Sequence, residues 1–203
     1  MTKEQIVEET LNLFLKYGVK SISMDDISNS IGISKKTLYQ LFNNKEYLVE
    51  STIKEFINVQ DVEIRNLLNE DIDVIDKILK IYSIVLYHFK SSYPTFIHGL
   101  EKYFPKTFNL FIDFKKELFH VNITHLLKQG KNEGIFRKDI DDKLINELHI
   151  SRLKTIIYGS LLSDRSASDP MYFEILIILL RGITTEKGYK ILDEKLSSKS
   201  IYK

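Results

Sequence analysis

Lys35 and Lys36 stand one turn ahead of Gln40, in a stretch from Ser34 to Asn44 that contains no carboxylate. An ammonium can donate to guanine O6 and N7 or reach a phosphate, and a carboxamide can pair bidentately with adenine. Carried on a helix, these three side chains could read base edges; paired lysines are also the ordinary furniture of a solvated face. Catalytic chemistry is poorly supplied by comparison. The chain has no cysteine, hence no thiolate nucleophile or ligand. It has no Gly-x-Gly-x-x-Gly, no phosphate-cradling loop around Gly130-Lys131 and no His-Glu-x-x-His. His120 and His125 are five residues apart, ~140° around a helix, and do not converge on a metal. Asp139, Asp141 and Asp142 read as a loop and a helix start, where negative charge complements the dipole. Asn122-Ile123-Thr124 matches a glycosylation sequon but falls inside a helical pattern. No catalytic residue, metal site or cofactor is expected.

The elements that position these groups follow from length and pattern. At 203 residues and 43% hydrophobic, the chain can bury one good core or two small ones. The formal net charge is +1, and residues 1–48 set six lysines against six carboxylates, so bulk charge gives no nucleic-acid footprint. Glu4, Glu8, Glu9 and Asn12 interrupt any secretory signal, and the longest apolar run, Ile175 to Leu180, is far short of the ~20 residues that span a bilayer. A soluble protein of the reducing cytoplasm, without membrane contact, is expected. Apolar residues recur at three- and four-residue spacing between only three prolines and eight glycines, with no sustained alternation, so the fold class is all-α.

Ile6, Val7, Thr10, Leu11, Leu13 and Phe14 predict a first helix over Lys3 to Tyr17, stopped by Gly18. Ser23 and Asp26 form a capping box for a second, which Gly32 breaks; Ser23 could also offer a phosphate contact there. Ser34 caps a short third helix over Lys35 to Phe42, and Asn43 with Glu46 signals a fourth. The three-residue link Gly32-Ile33-Ser34 between the second and third gives the shape of a helix-turn-helix, or of any helical hairpin with a glycine turn. Longer segments follow at Ile72–Ser92, Pro94–Phe104, Pro105–Gln129, Asp141–Leu162 and Pro170 to about Leu196, with Gly130 and Gly134 bracketing a loop.

Read together, residues 6 to 48 resemble the DNA-binding domain of the TetR family. The likeness rests on Ile6, Phe14 and Gly18, then Ser23 and Asp26-Ile27, then the uninterrupted run from Gly32-Ile33-Ser34-Lys35-Lys36-Thr37-Leu38-Tyr39-Gln40 through Leu48. Thr10 and Ser28 stand where the family usually has alanine, and both are small. Gly134 to Ile140 and Arg181 to Thr185 resemble the family's regulatory domain more weakly. The resemblance implies an N-terminal three-helix helix-turn-helix DNA-binding domain over 1–48 and a C-terminal helical ligand-binding and dimerisation domain over 49–203. It implies a ligand-responsive repressor that binds a palindromic operator as a homodimer and is released by a small-molecule effector. The rival reading keeps the fold and replaces the operator by a protein partner.

Within that frame Lys35, Lys36 and Gln40 are the expected base readers. Thr37, Tyr39 and Lys45 are phosphate clamps by resemblance, with Ser23 beside them. Tyr39 could instead merely pack with Phe42 and Tyr47, and Ser23 could only cap. So few positive groups per protomer call for two half-sites about 34 Å apart, hence a dimer. Met171 to Leu180, apolar almost all round, marks the last two helices for that interface, unless a wholly intramolecular core absorbs it. The family places an effector pocket in the regulatory domain, with Tyr82, Phe89, Phe96, His98, Phe108, Phe111, His120 and Tyr158 as candidate lining for a partly apolar ligand. Aromatics at helical spacing are otherwise simply core.

Overall fold

The computed structural model describes residues 1–89, 93–151 and 171–198. These form α1 (Lys3–Tyr17), α2 (Met24–Ile31), α3 (Lys35–Leu41), α4 (Lys45–Leu68), α5 (Val74–Phe89), α6 (Tyr93–Tyr103) and α7 (Pro105–Asn132). Then come α8 (helical over 142–151), α9 (Met171–Ile183) and α10 (Glu186–Ser198). Among the described residues there is no strand, only an isolated bridge between Phe136 and Thr184, so the all-α expectation holds. No helix among them is long and apolar enough to cross a membrane. The chain divides into two compact units: Met1–Ile64 with Phe89–Lys115, and Arg65–His88 with Lys116–Lys203.

The first unit begins with a capping box in which the Thr2 hydroxyl accepts from the Gln5 N–H and the Gln5 side chain accepts from the Thr2 N–H. Ile6, Val7, Leu11 and Phe14 then face inward as one stripe. The predicted box of α2 is present in both directions, Ser23 to Asp26 and back. The start of α4 differs by one residue from the predicted Asn43 cap. Phe42 is fully buried and leaves α3 in extended conformation, which commits Asn43 to the turn. Asn44 therefore caps α4, its Oδ1 accepting from the Tyr47 N–H at 2.8 Å.

Two expectations for the second unit are corrected. Gly130 does not open a loop but lies buried inside α7, where a Cβ would stand 2.2 Å from the Phe136 ring; it is glycine so that this ring can lie against the helix. The last predicted helix is two. Arg137 donates its N–H to the Ile183 carbonyl and Thr185 donates its N–H to the Ile135 carbonyl, each at 2.9 Å. These bonds hold Thr184 against Phe136 and break the helix after Ile183. The Thr185 hydroxyl then accepts from the Gly188 N–H at 3.2 Å and restarts it as α10. Lys195 on α10 bonds both Asp73 and Asp76 at the start of α5.

Candidate nucleic-acid interface

A seven-residue helix is too short to persist alone, since isolated helices need roughly 12–15 residues. Tertiary anchors must therefore hold α3, and Leu38 with Phe42, both fully buried, supply them. Its angle to α2 is set by Gly32, which occupies the left-handed region at φ 76°, ψ 30° that a side chain disfavours. The N–H groups of Gly32 and Ile33 both return to the Ser28 carbonyl at 3.0 Å, closing the turn. Ser34 caps the new helix: its hydroxyl accepts from the Thr37 N–H at 3.0 Å and lies 2.8 Å from the Thr37 hydroxyl.

With Leu38 turned inward, Lys35, Lys36, Thr37, Tyr39 and Gln40 are all exposed on this short helix. Tyr39 is 41% exposed; the aromatic pair at the end of α3 is instead Phe42 with Tyr47, centroids 6.1 Å apart. Lys35 is engaged within its own unit, Nζ standing 2.7 Å from Asp25 Oδ1. The hydrogen bond and charge of Asp25 hold its pKa above the usual lysine value. Ser23 is committed to its cap, donating to Asp26 Oδ2 at 2.6 Å; its hydroxyl and N–H hold the Asp26 carboxyl below the ordinary range.

Lys45 opens α4 from a half-buried position between the Phe14 and Phe104 rings, 6.0 and 5.9 Å from its Nζ. Its Nζ donates to the Lys20 carbonyl at 3.4 Å. Burial lowers its pKa, against a smaller pull from Asp26 that raises it. A partly desolvated ammonium at the start of a helix, holding no ion pair among the described residues, is electrostatically suited to an incoming anion.

The candidate effector residues fall into separate surroundings. Tyr82 is buried in the second unit, its hydroxyl hydrogen-bonded to His149 Nδ1 and its ring edge-on to Phe119. Phe96 and Phe111 are buried in the first unit, where each ring meets Phe56, at 6.4 and 6.2 Å. Phe108 is also buried there, whereas His98 and His120 are exposed. Tyr158 and the Phe89 side chain lie outside the described residues. Among the buried polar groups that the sequence reading did not single out are His149 and Lys115. Lys115 donates to Gln60 Oε1 and stands 5.5 Å from the Phe111 centroid. Burial pushes its pKa down to about 7, a smaller effect of Glu63 opposing.

Residues 6–52 match the family model described as bacterial regulatory proteins, tetR family. Over 186 residues the chain is 24% identical to the uncharacterized HTH-type transcriptional regulator YvaF of Bacillus subtilis, covering 91% of this chain and 96% of that one. Over 56 residues, 28% of this chain and 30% of the other, it is 32% identical to IcaR of Staphylococcus epidermidis, a negative transcriptional regulator of the biofilm operon icaADBC. Among solved structures, a transcriptional regulator from Cytophaga hutchinsonii superposes with a TM-score of 0.76 at 22% identity, covering 90% of this chain and 98% of that one. A transcriptional regulator from Saccharomonospora viridis in complex with choline gives 0.70 at 16% identity, covering 90% and 97%. These relatives and this fold are those of transcriptional regulators, not enzymes. Through residues 6–52 the chain carries a domain of the tetR family of bacterial regulatory proteins, and the relatives it resembles along its length are named HTH-type transcriptional regulators.

Proposed function

We propose that the chain is a cytoplasmic, ligand-responsive repressor that binds a palindromic operator as a homodimer and is released by a small, partly apolar effector. Residues 1–48 make the DNA contacts, and residues 49–203 dimerise and receive the ligand. The observation that carries this reading is the outer surface of α3: Lys36, Tyr39 and Gln40 are exposed on a helix held from behind by Leu38. Lys36 and Gln40 read base edges, joined by Lys35 when it leaves Asp25. Thr37, Tyr39 and Lys45 hold phosphates, and Ser23 presents the start of α2 to the backbone.

Dimerisation is supported within the second unit. On α9, Phe173, Leu176, Ile177 and Leu180 are buried, while Ile178 is 68% exposed and Ile175 also faces outward; on α8, Leu144 and Leu148 are exposed as well. Such apolar surface is where a second copy gains burial. The negative-regulator name of IcaR supports repression, and the choline complex shows that a protein of this fold can hold a small molecule. An effector acts by fitting one arrangement of the helices better than another, with a coupling of about 1–3 kcal/mol.

The balanced charge of residues 1–48 and the Asp25 grip on Lys35 favour a second reading, in which the same surface meets a protein partner. Tyr39→Phe combined with Lys45→Ala separates the two. Loss of affinity across all duplexes, a shallower salt slope and an intact dimer support operator binding. Unchanged salt dependence removes the clamp assignment.

A further inference from the structure

Ion pairs between lysines and carboxylates recur over this nearly neutral chain: Lys35 with Asp25, Lys54 with Glu50, Lys80 with Glu70, Lys190 with Glu186. A cluster of three lysines in the first unit departs from that pattern. Lys20 in the α1–α2 turn and Lys102 at the end of α6 both stand over the ring of Tyr103, at 4.8 and 5.5 Å from its centroid. Lys45 adjoins them, its Nζ 3.4 Å from the Lys20 carbonyl and 5.9 Å from the ring of Phe104, the next residue after Tyr103. None of these three ammoniums is ion-paired with a carboxylate among the described residues. Glu101, their nearest carboxylate in sequence on α6, pairs with neither Lys20 nor Lys102, and Asp26 acts on Lys45 only at longer range. Lys20 and Lys102 are exposed, as is Tyr103 at 40%.

The placement is firm. Gly99 of α6 packs so closely on Val19 that a Cβ there would meet the Val19 side chain at 2.8 Å, so the C-terminal turn of α6 is held against the α1–α2 turn. The positive field is felt by the tyrosine itself: a hydrogen bond from Lys20, with the charges of Lys102 and Lys20, holds its phenol below the usual range. Cations gathered without counter-charges, beside a lysine already assigned to a phosphate, present an anion site continuous with that interface.

We infer that Lys20, Lys102 and Tyr103 form an additional DNA backbone clamp, in which α6 holds a phosphate beyond the one gripped by Lys45. The inference rests on the operator reading above. The occupant is a duplex phosphate: two flexible ammoniums and a phenol hydroxyl offer donors to a non-bridging oxygen and carry no base information. Because α6 lies outside the helix-turn-helix, the operator is then held by two elements of the unit, and any rearrangement of α6 alters DNA affinity directly.

The test uses the full-length protein and a duplex selected from a random library, comparing wild type, Lys20→Ala/Lys102→Ala, Lys20→Arg/Lys102→Arg and Lys45→Ala. One phosphate released per protomer, two per dimer, makes the slope of log affinity against log salt shallower by about 1.8 in the double alanine variant. Its affinity then falls about tenfold less than wild type between roughly 50 and 200 mM salt. The arginine variant keeps the wild-type slope, and base preferences at every position stay unchanged. A wild-type slope in the double alanine variant, alongside a shallower one for Lys45→Ala, overturns the additional clamp and leaves the operator reading standing. Failure of the wild type to bind any duplex overturns the operator reading itself.

Discussion

The ammonium of Lys35 lies 2.7 Å from one carboxylate oxygen of Asp25 and 2.9 Å from the other, so a leading base-reading candidate is held by the preceding helix. Both side chains are more than half exposed, so water and salt screen the pair and it contributes little to the fold. Its consequence is for recognition: a phosphate or a guanine must compete with Asp25 for Lys35.

Asp25→Asn removes the competitor and a negative charge from the DNA-facing surface. Affinity for every duplex should rise several-fold, with a salt slope steeper by about 0.9 per protomer, while thermal stability is nearly unchanged. Anisotropy titrations at three salt concentrations measure this; an unchanged slope would mean that the freed Lys35 takes no phosphate.

Gly130→Ala should destabilise the protein although alanine is the better helix former. A new methyl would stand 2.2 and 2.5 Å from Phe136 ring atoms, and Phe136 is fixed by full burial and by its bridge to Thr184. Overpacking of this kind costs about 1–3 kcal/mol, more than the ~1 kcal/mol of propensity gained. Urea denaturation checks it, and Phe136→Leu in the same chain should recover part of the loss.

Lys115 makes stability depend on pH. Its folded pKa is about 7 because burial penalises the ammonium, against 10.5 for the ordinary side chain. Between those values the unfolded chain binds the proton that the folded one lacks, so stability rises as pH increases from about 7 towards 10.5, by at most about 1.4 kcal/mol per unit. Below about 7 both states are protonated and the full penalty remains. Lys115→Met should be more stable than wild type at neutral pH and lose that slope; equal pH profiles of the two proteins, by denaturant melts, would contradict the assignment.

Ile178→Glu probes the outer surface of α9. At 68% exposure the residue adds little to the fold of one protomer, but a carboxylate there would be buried in a dimer. Sedimentation velocity should show a folded monomer, and operator affinity should fall with it. A dimer of wild-type strength would place the interface elsewhere.

What could be read in advance was local. Ser23 with Asp26, Gly32 as the turn, Ser34 as a cap and the stripe from Ile6 to Phe14 each involve residues a few positions apart, and all appear as the spacing implies except Leu13, which is only partly buried. Adjacent Asn43 and Asn44 offer equivalent caps, and only the burial of Phe42 decides between them. Gly130 and the break at Thr184 depend on Phe136 and Ile135, which meet the end of α9 and the start of α10 some 50 residues later. His149 finds Tyr82 across 67 residues. Lys115 was hidden by Lys116, since two lysines suggest solvent. Its phase with Phe108, Phe111, Leu118 and Phe119, all buried on α7, is the signal that places it inside.

The central claim is that exposed side chains of α3 read an operator from two symmetric protomers. Selection of bound sequences from a random duplex library by the purified full-length protein tests it most directly. The account predicts enrichment of a two-fold symmetric motif with half-sites about one helical turn, roughly 34 Å, apart, in which Gln40→Ala relaxes preference at a single base position of each half-site. Absence of any enriched motif, or a motif whose preferences survive Gln40→Ala and Lys36→Ala unchanged, would contradict it.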